Sequence, residues 1–220
     1  MIEIPYPLAT ERLVLRRFST DDLDAYYDYQ RLPETARYLY GEARSYAQCM
    51  QRIGNYVQSK FEGPGDWATF VIERKGQPGL IGEIALKWNS GGKPENGAGQ
   101  GVLADGGARD DGTEDGAPER FGELGWTLAP EAQGYGYATE SARAVLDLAL
   151  GSWGFHRVEA RLDARNTASA AICERLGMQR EGVLRDNMYL KGEWTSEAVY
   201  ATVRDPLPVS SKMDREKGEG

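Results

Sequence analysis

The segment from Leu124 to Glu140 holds the spacing with the most chemistry in it. Leu124, Trp126 and Leu128 alternate toward Gln133-Gly134-Tyr135-Gly136, and a helical pattern follows from Tyr137. Gly134 and Gly136 permit torsions that other residues avoid and let the backbone approach a ligand closely. A strand, a glycine loop and a helix start, in that order, aim free N–H groups and the positive end of a helix dipole at one point. That geometry suits a phosphate or diphosphate. A tight turn without a ligand uses the same residues. A dinucleotide-binding turn fits poorly, because Thr139 stands where its third glycine belongs and the strand comes late in the chain.

Other chemistries lack the residues they need. His156 is the single histidine, so a His-rich site is impossible and any Ser-His-Asp triad would be built on it. Its place at the start of an alternating stretch reads as a sheet-edge residue. Cys49 and Cys173 are far apart and form no Cys-x-x-Cys, so no metal is expected. Without an export signal they read as reduced thiols of a cytoplasmic protein. There is no Gly-x-Ser-x-Gly elbow, Walker loop or His-Glu-x-x-His.

The elements that position the glycine loop follow from periodicity. Strands are expected over Glu11–Phe18, Trp67–Arg74, Leu80–Trp88, Arg120–Leu128, His156–Asp163, Gln179–Leu190 and Glu193–Arg204. Helices are expected over Asp21–Gln30, Tyr46–Lys60, Tyr137–Leu150 and Thr167–Leu176. Ser19 through Asp22 offers N-cap chemistry, Lys75–Gly79 a turn, and Lys191-Gly192 a hairpin. In the fourth strand Leu124, Trp126 and Leu128 share one face and Glu123 takes the other. The order gives an α/β fold: a seven-stranded mixed sheet flanked by about four helices, in a single domain over residues 1–204.

Composition supports that outline. The 220 residues carry 27 glycines and a net charge of −8. Nine of those glycines and half of that charge fall between Asn89 and Arg120, a stretch too polar to bury a core. It is expected to be a flexible insertion, and 205–220 a disordered polar tail. The charge left on the rest is small, so it says little about a cationic partner. An acidic chain is a poor binder of nucleic acid. No apolar run is long enough for a membrane helix.

Three motifs in order resemble one family. Gln133-x-x-Gly136-x-Ala138 is similar to the acyl-CoA motif of the GNAT N-acetyltransferases. Asn166-x-x-Ser169 followed by Glu174-Arg175-Leu176-Gly177 resembles the later helix of that family. Thr10 through Arg16 and the Tyr189, Trp194, Tyr200 hairpin resemble its ribosomal-protein N-terminal acetyltransferase branch. The likeness spans about residues 8–204, with the insertion interrupting it.

The resemblance implies the GNAT acyl-CoA N-acyltransferase fold and acetyl-CoA as cosubstrate. Acetyl-CoA would lie in a V-shaped gap between the strand ending near Leu128 and the strand starting near Arg157. Main chain of Leu124, Trp126, Thr127 and Leu128 would bond the pantetheine arm. Gln133, Gly134, Tyr135, Gly136, Tyr137, Ala138 and Thr139 would hold the diphosphate. Asn166 and Ser169 would stand near the thioester. A primary amine, either a protein or peptide N-terminus or a small molecule, would attack directly through a tetrahedral intermediate.

Glu123 is then the candidate general base, with Glu83 a weaker rival. Many relatives carry a tyrosine acid four residues before the glycine of Glu-Arg-Leu-Gly; here that position is Cys173. Ser169 or Tyr189 would replace it. Cys173 reads as a small apolar filler. The tyrosines Tyr26, Tyr27, Tyr29, Tyr38 and Tyr40 either line an acceptor pocket or pack in the core. Related enzymes are monomers or homodimers. The alternative function is an acyl-CoA-binding sensor that has lost catalysis.

Overall fold

A computed structural model of the chain describes residues 2–89 and 120–204. Alternation in the sequence becomes eight strands: Leu8–Ala9 (β1), Leu13–Arg16 (β2), Trp67–Arg74 (β3), Gln77–Asn89 (β4), Arg120–Leu128 (β5), Phe155–Asp163 (β6), Gln179–Leu190 (β7) and Glu193–Val203 (β8). They form one sheet in the order β1-β2-β3-β4-β5-β6-β8-β7. Five helices accompany it: Leu23–Gln30 (α1), Pro33–Ala36 (α2), Tyr46–Gln58 (α3), Tyr137–Leu150 (α4) and Thr167–Arg175 (α5).

The helices cover the two faces for different reasons. On α4, Ala142, Val145 and Ala149 are fully buried and join Leu86, Leu124, Val158 and Ala160 in the main core. The stripe Cys49, Ile53 and Tyr56 of α3 packs instead with Tyr26, Tyr29 and Val71 in a second core. Val71 pairs with Glu83 across β3 and β4, so this second core and Glu83 share a face of the sheet.

The strand pairing creates the opening that matters. Every neighbouring pair is antiparallel except β5 and β6, which are parallel because α4 crosses between them. Their pairing runs only from Arg120 to Glu123. On its other side β5 stays paired with β4 as far as Leu128. Likewise β6 stays paired with β8 as far as Asp163. From Leu124 onward the two strands splay apart, and the sheet has a cleft with Glu123 at its apex.

The expected count of seven strands and four helices is short by one each. Leu8–Ala9 pairs with Leu15 and Val14 but is two residues long, and α2 is a single turn. Neither is long enough to show a period. The first expected strand, Glu11–Phe18, shortens to β2. Thr20–Asp22 is a 3-10 turn with a Ser19 capping box, so α1 starts at Leu23. Asn89 and Arg120, the ends of the expected insertion, close β4 and open β5, with Asn89 opposite Phe121. The interior of that insertion, 90–119, and the tail, 205–220, lie outside the described residues. Lys191 and Gly192 form the expected turn, both at positive φ.

Candidate active site

Beyond Leu128 the chain makes a 3-10 turn, Pro130–Ala132, and Gln133 Nε2 donates to the Leu128 carbonyl at 3.1 Å. Gly134 and Gly136 follow at φ +82° and +80°, the left-handed region that favours glycine. Gly136 is the N-cap of α4, and no side chain caps that helix. By contrast, Ser45 caps α3 and Asn166 caps α5. The first-turn N–H groups of a helix have no intrahelical acceptor. At α4 they are left with the dipole's positive end and no side-chain oxygen, the condition for holding an anion.

The loop is braced from the N-terminal segment. Arg12 Nε donates to Glu140 Oε2 at 2.7 Å and Arg12 Nη1 to the Tyr135 carbonyl at 2.9 Å. Its guanidinium lies 5.0 Å from the centroid of Tyr137. Thr10 Oγ1 and the Arg12 N–H both donate to Glu140 Oε1. Burial pushes the Glu140 carboxyl up, but these bonds outweigh it and hold it below its ordinary value.

From the loop, the cleft between β5 and β6 runs down the unpaired edge of Leu124–Leu128. That edge has no strand partner among the described residues, so an extended ligand can bond it as an added strand would. On the α1/α3 face the cleft opens into a cavity of about 120 Å³. Residues 123–127 of β5, the loop carrying Tyr38 and Tyr40, and the start of α5 line it.

Two glutamates face this cavity in different states. Glu83 is buried and accepts from Tyr26 Oη at 3.2 Å, Gln30 Nε2 at 3.0 Å and Tyr56 Oη at 2.9 Å. Burial, and then the charge of Glu83, raise the Tyr26 and Tyr56 phenols well above their ordinary value, so both remain donors. Arg52, also buried, donates from Nε to Tyr56 at 2.8 Å. Glu83 is thus anchored. Glu123 is half-buried and makes no hydrogen bond or ion pair with another described residue. Burial pushes its carboxyl above the ordinary glutamate value, while Lys87, its cross-strand partner, pulls the other way. A carboxylate raised above its ordinary value and facing a cavity is suited to accept a proton.

Six of the residues expected at the site meet there. Glu123, Leu124, Trp126, Thr127, Asn166 and Ser169 line the cavity. Asn166 Oδ1 accepts from the Ser169 N–H at 3.0 Å, so Asn166 caps α5 while its amide nitrogen stays open. Leu128 and Gln133 through Thr139 lie beyond the cavity, in the strand end and the loop at the top of the cleft. Tyr189 is not brought to this place. It is 62% exposed on the β7–β8 hairpin, packs edge-on against Trp194 and donates to the Gly192 carbonyl. Cys173 is fully buried in the main core, and burial raises its thiol to about 12. The tyrosines divide: Tyr26 and Tyr29 are core, whereas Tyr38 and Tyr40 line the cavity.

Sequence reasoning missed Tyr56, Arg52, Arg44 and Arg12. The first two had a readable signal. Arg52 falls on the apolar stripe Cys49, Ile53, Tyr56 of an amphipathic helix, and an arginine there needs a buried partner. Arg44 and Arg12 sit in irregular chain, where no period marks a face.

The chain matches the Acetyltransferase (GNAT) domain family over residues 12–179. The uncharacterized N-acetyltransferase YnaD of Bacillus subtilis is 23% identical over 202 residues, covering 90% of this chain and 97% of YnaD. A GNAT-family acetyltransferase from Bacillus anthracis superposes with a TM-score of 0.69 at 22% identity, over 90% of this chain and 98% of that one. RimL, a ribosomal L7/L12 alpha-N-protein acetyltransferase solved with coenzyme A, gives 0.62 at 16% identity, over 89% and 96%. Among the described residues no cluster of metal-ligating side chains occurs, and no helix is long and apolar enough to cross a membrane.

Proposed function

This chain belongs to the GNAT acetyltransferase family, and on that premise we propose that it moves an acetyl group from acetyl-CoA to a primary amine, with Glu123 as general base. The observation that carries this reading is the cleft itself. One unpaired strand edge leads from an uncapped helix start to a raised, unpartnered carboxylate. Acetyl-CoA supplies an activated acyl carbon. The N–H groups of Gly134–Thr139 hold its diphosphate, and the β5 edge of Leu124–Leu128 with Asn166 aligns the pantetheine arm. Glu123 accepts the proton of the incoming ammonium, directly or through water, so that the amine attacks the acyl carbon. The C–N bond forms first, giving a tetrahedral intermediate; the C–S bond then breaks as the second proton of the attacking nitrogen passes through the Ser169 hydroxyl to the leaving sulfur. Cys173 is too protonated and too buried to serve as a nucleophile.

RimL acts on a ribosomal protein by its name, and a peptide N-terminus or a small amine is the acceptor proposed here. Two buried thiols in one chain fit a reducing, cytoplasmic compartment. The test is thiol release from acetyl-CoA over a broad amine panel, with acetylated product identified by mass spectrometry. Turnover with any amine supports the reading. Binding of acetyl-CoA with no amine consumed favours an acyl-CoA sensor instead. No binding of acetyl-CoA refutes both.

A further inference from the structure

Six charged side chains line the acceptor cavity: Arg44, Arg52, Glu83, Glu123, Arg161 and Asp163. Four are matched within the fold. Arg161 bridges Glu159 at 2.8 Å and Glu197 at 3.0 Å. Asp163 takes Arg165 Nη2 at 2.7 Å and its Nε at 2.9 Å. Glu83 and Arg52 belong to the buried cluster around Tyr56. Two have no ion-pair partner among the described residues, and they are of opposite sign: Glu123 and Arg44.

Their placement is ordered. Arg44 is half-buried, donates from Nη1 to Gln30 Oε1, and its N–H donates to the Gln30 carbonyl at 2.9 Å. Gln30 in turn donates to Glu83, which pairs with Thr127 in the register of β4 and β5. Arg44 is thus tied through Gln30 to Glu83, the β4 residue opposite Thr127, and its fork is oriented by an amide rather than neutralised by a carboxylate. Glu123 lies four strand residues from Thr127, on the order of 13 Å along β5 before the side chains reach inward. Tyr38 and Tyr40 line the same cavity.

We infer that the acceptor is a primary amine carrying a carboxylate several bonds away, its ammonium held at Glu123 and its carboxylate at Arg44. This rests on the acetyl-transfer reading and narrows it. A polyamine would bring a second cation to Arg44, and an α-amino acid, with both charges on one carbon, is too short to reach both ends.

The experiment compares matched acceptors at saturating acetyl-CoA: ω-amino acids of increasing chain length, short peptides, the C-terminal amide of each, and polyamines. Acetyl-CoA binding is measured separately by calorimetry. The expected result is a preference for the free carboxylate over its amide of about 10- to 100-fold in kcat/KM, the worth of a charge-assisted hydrogen bond. The preference should grow with chain length beyond the α-amino acid. Arg44→Gln should erase the carboxylate-to-amide ratio, and Arg44→Lys should retain part of it. Equal use of acid and amide, a preference for polyamines, or no carboxylate-bearing acceptor consumed would each overturn the inference, while turnover of acetyl-CoA with any other amine leaves the acetyl-transfer reading beneath it standing. Failure to bind acetyl-CoA overturns that reading itself.

Discussion

Replacing Gly136 by Asn and by Asp separates the shape of the loop from its charge. The φ of +80° is one that Asn and Asp adopt more readily than other side chains, so both variants should fold at a cost of roughly 1–2 kcal/mol. An added Cβ meets only Arg12 Nη2, at 3.4 Å, which a flexible side chain can relieve. The two variants then differ by one negative charge at the N-terminus of α4. If that charge stands about 5 Å from a bound phosphate, the repulsion is about 3 kcal/mol at an effective dielectric near 20. That is on the order of 200-fold in affinity. Arg12 beside the new carboxylate offsets part of this, so a gap of at least about tenfold remains the expectation. Calorimetric titration with CoA gives the two dissociation constants directly, and added salt should narrow the gap. Equal affinity of the Asn and Asp variants would refute the placement of a diphosphate at Gly134–Thr139.

Glu83→Ala should cost about 3–5 kcal/mol in thermal or denaturant unfolding, because it strips the acceptor from three donors, Tyr26, Gln30 and Tyr56, at about 1–3 kcal/mol for each buried donor left unsatisfied. A loss below about 1 kcal/mol would mean that the cluster is not what anchors α1 and α3. Glu140→Ala should weaken CoA binding by about tenfold by releasing Arg12 from the loop; unchanged affinity would show that the brace is incidental. Since the folded Glu140 carboxyl is held below 4.5, its stabilising contribution is full above that value and fades as pH falls through the depressed one. Glu140→Gln should therefore flatten the acid limb of the melting-temperature profile, and a parallel curve would contradict the sign.

What could be read in advance follows from which interactions are local. The β5 strand, the positive-φ glycines and the α4 stripe announce themselves in sequence, because alternation, glycine and a 3.6-residue period are properties of adjacent residues. The opposition of Glu123 to Leu124 and Trp126 is of this kind, and the structure agrees with it. The cavity is not local. Glu83 receives bonds from α1 and α3, and Arg44 is oriented by Gln30 in a different helix. No spacing in the chain encodes those meetings. Tyr189 shows the converse: a residue type suited to proton transfer, placed by the hairpin at the surface. The single-turn α2 and the two-residue β1 were invisible for want of length, yet α2 leads into the loop that carries Tyr40 and Arg44 to the cavity.

The central claim is that a carboxylate at the apex of the β5–β6 cleft takes the proton of the acceptor amine, and the pH profile of Glu123→Gln tests it most directly. In the unaltered protein kcat/KM should fall toward acid through a pKa above the ordinary glutamate value, the direction that burial gives Glu123. The variant should keep its affinity for CoA, lose about 100- to 10,000-fold in turnover and lose that inflection. Since the carboxyl is raised in the fold, its charge costs stability above its unfolded pKa, and the variant should melt no lower at neutral pH. An unchanged rate with the same acid inflection would contradict the account.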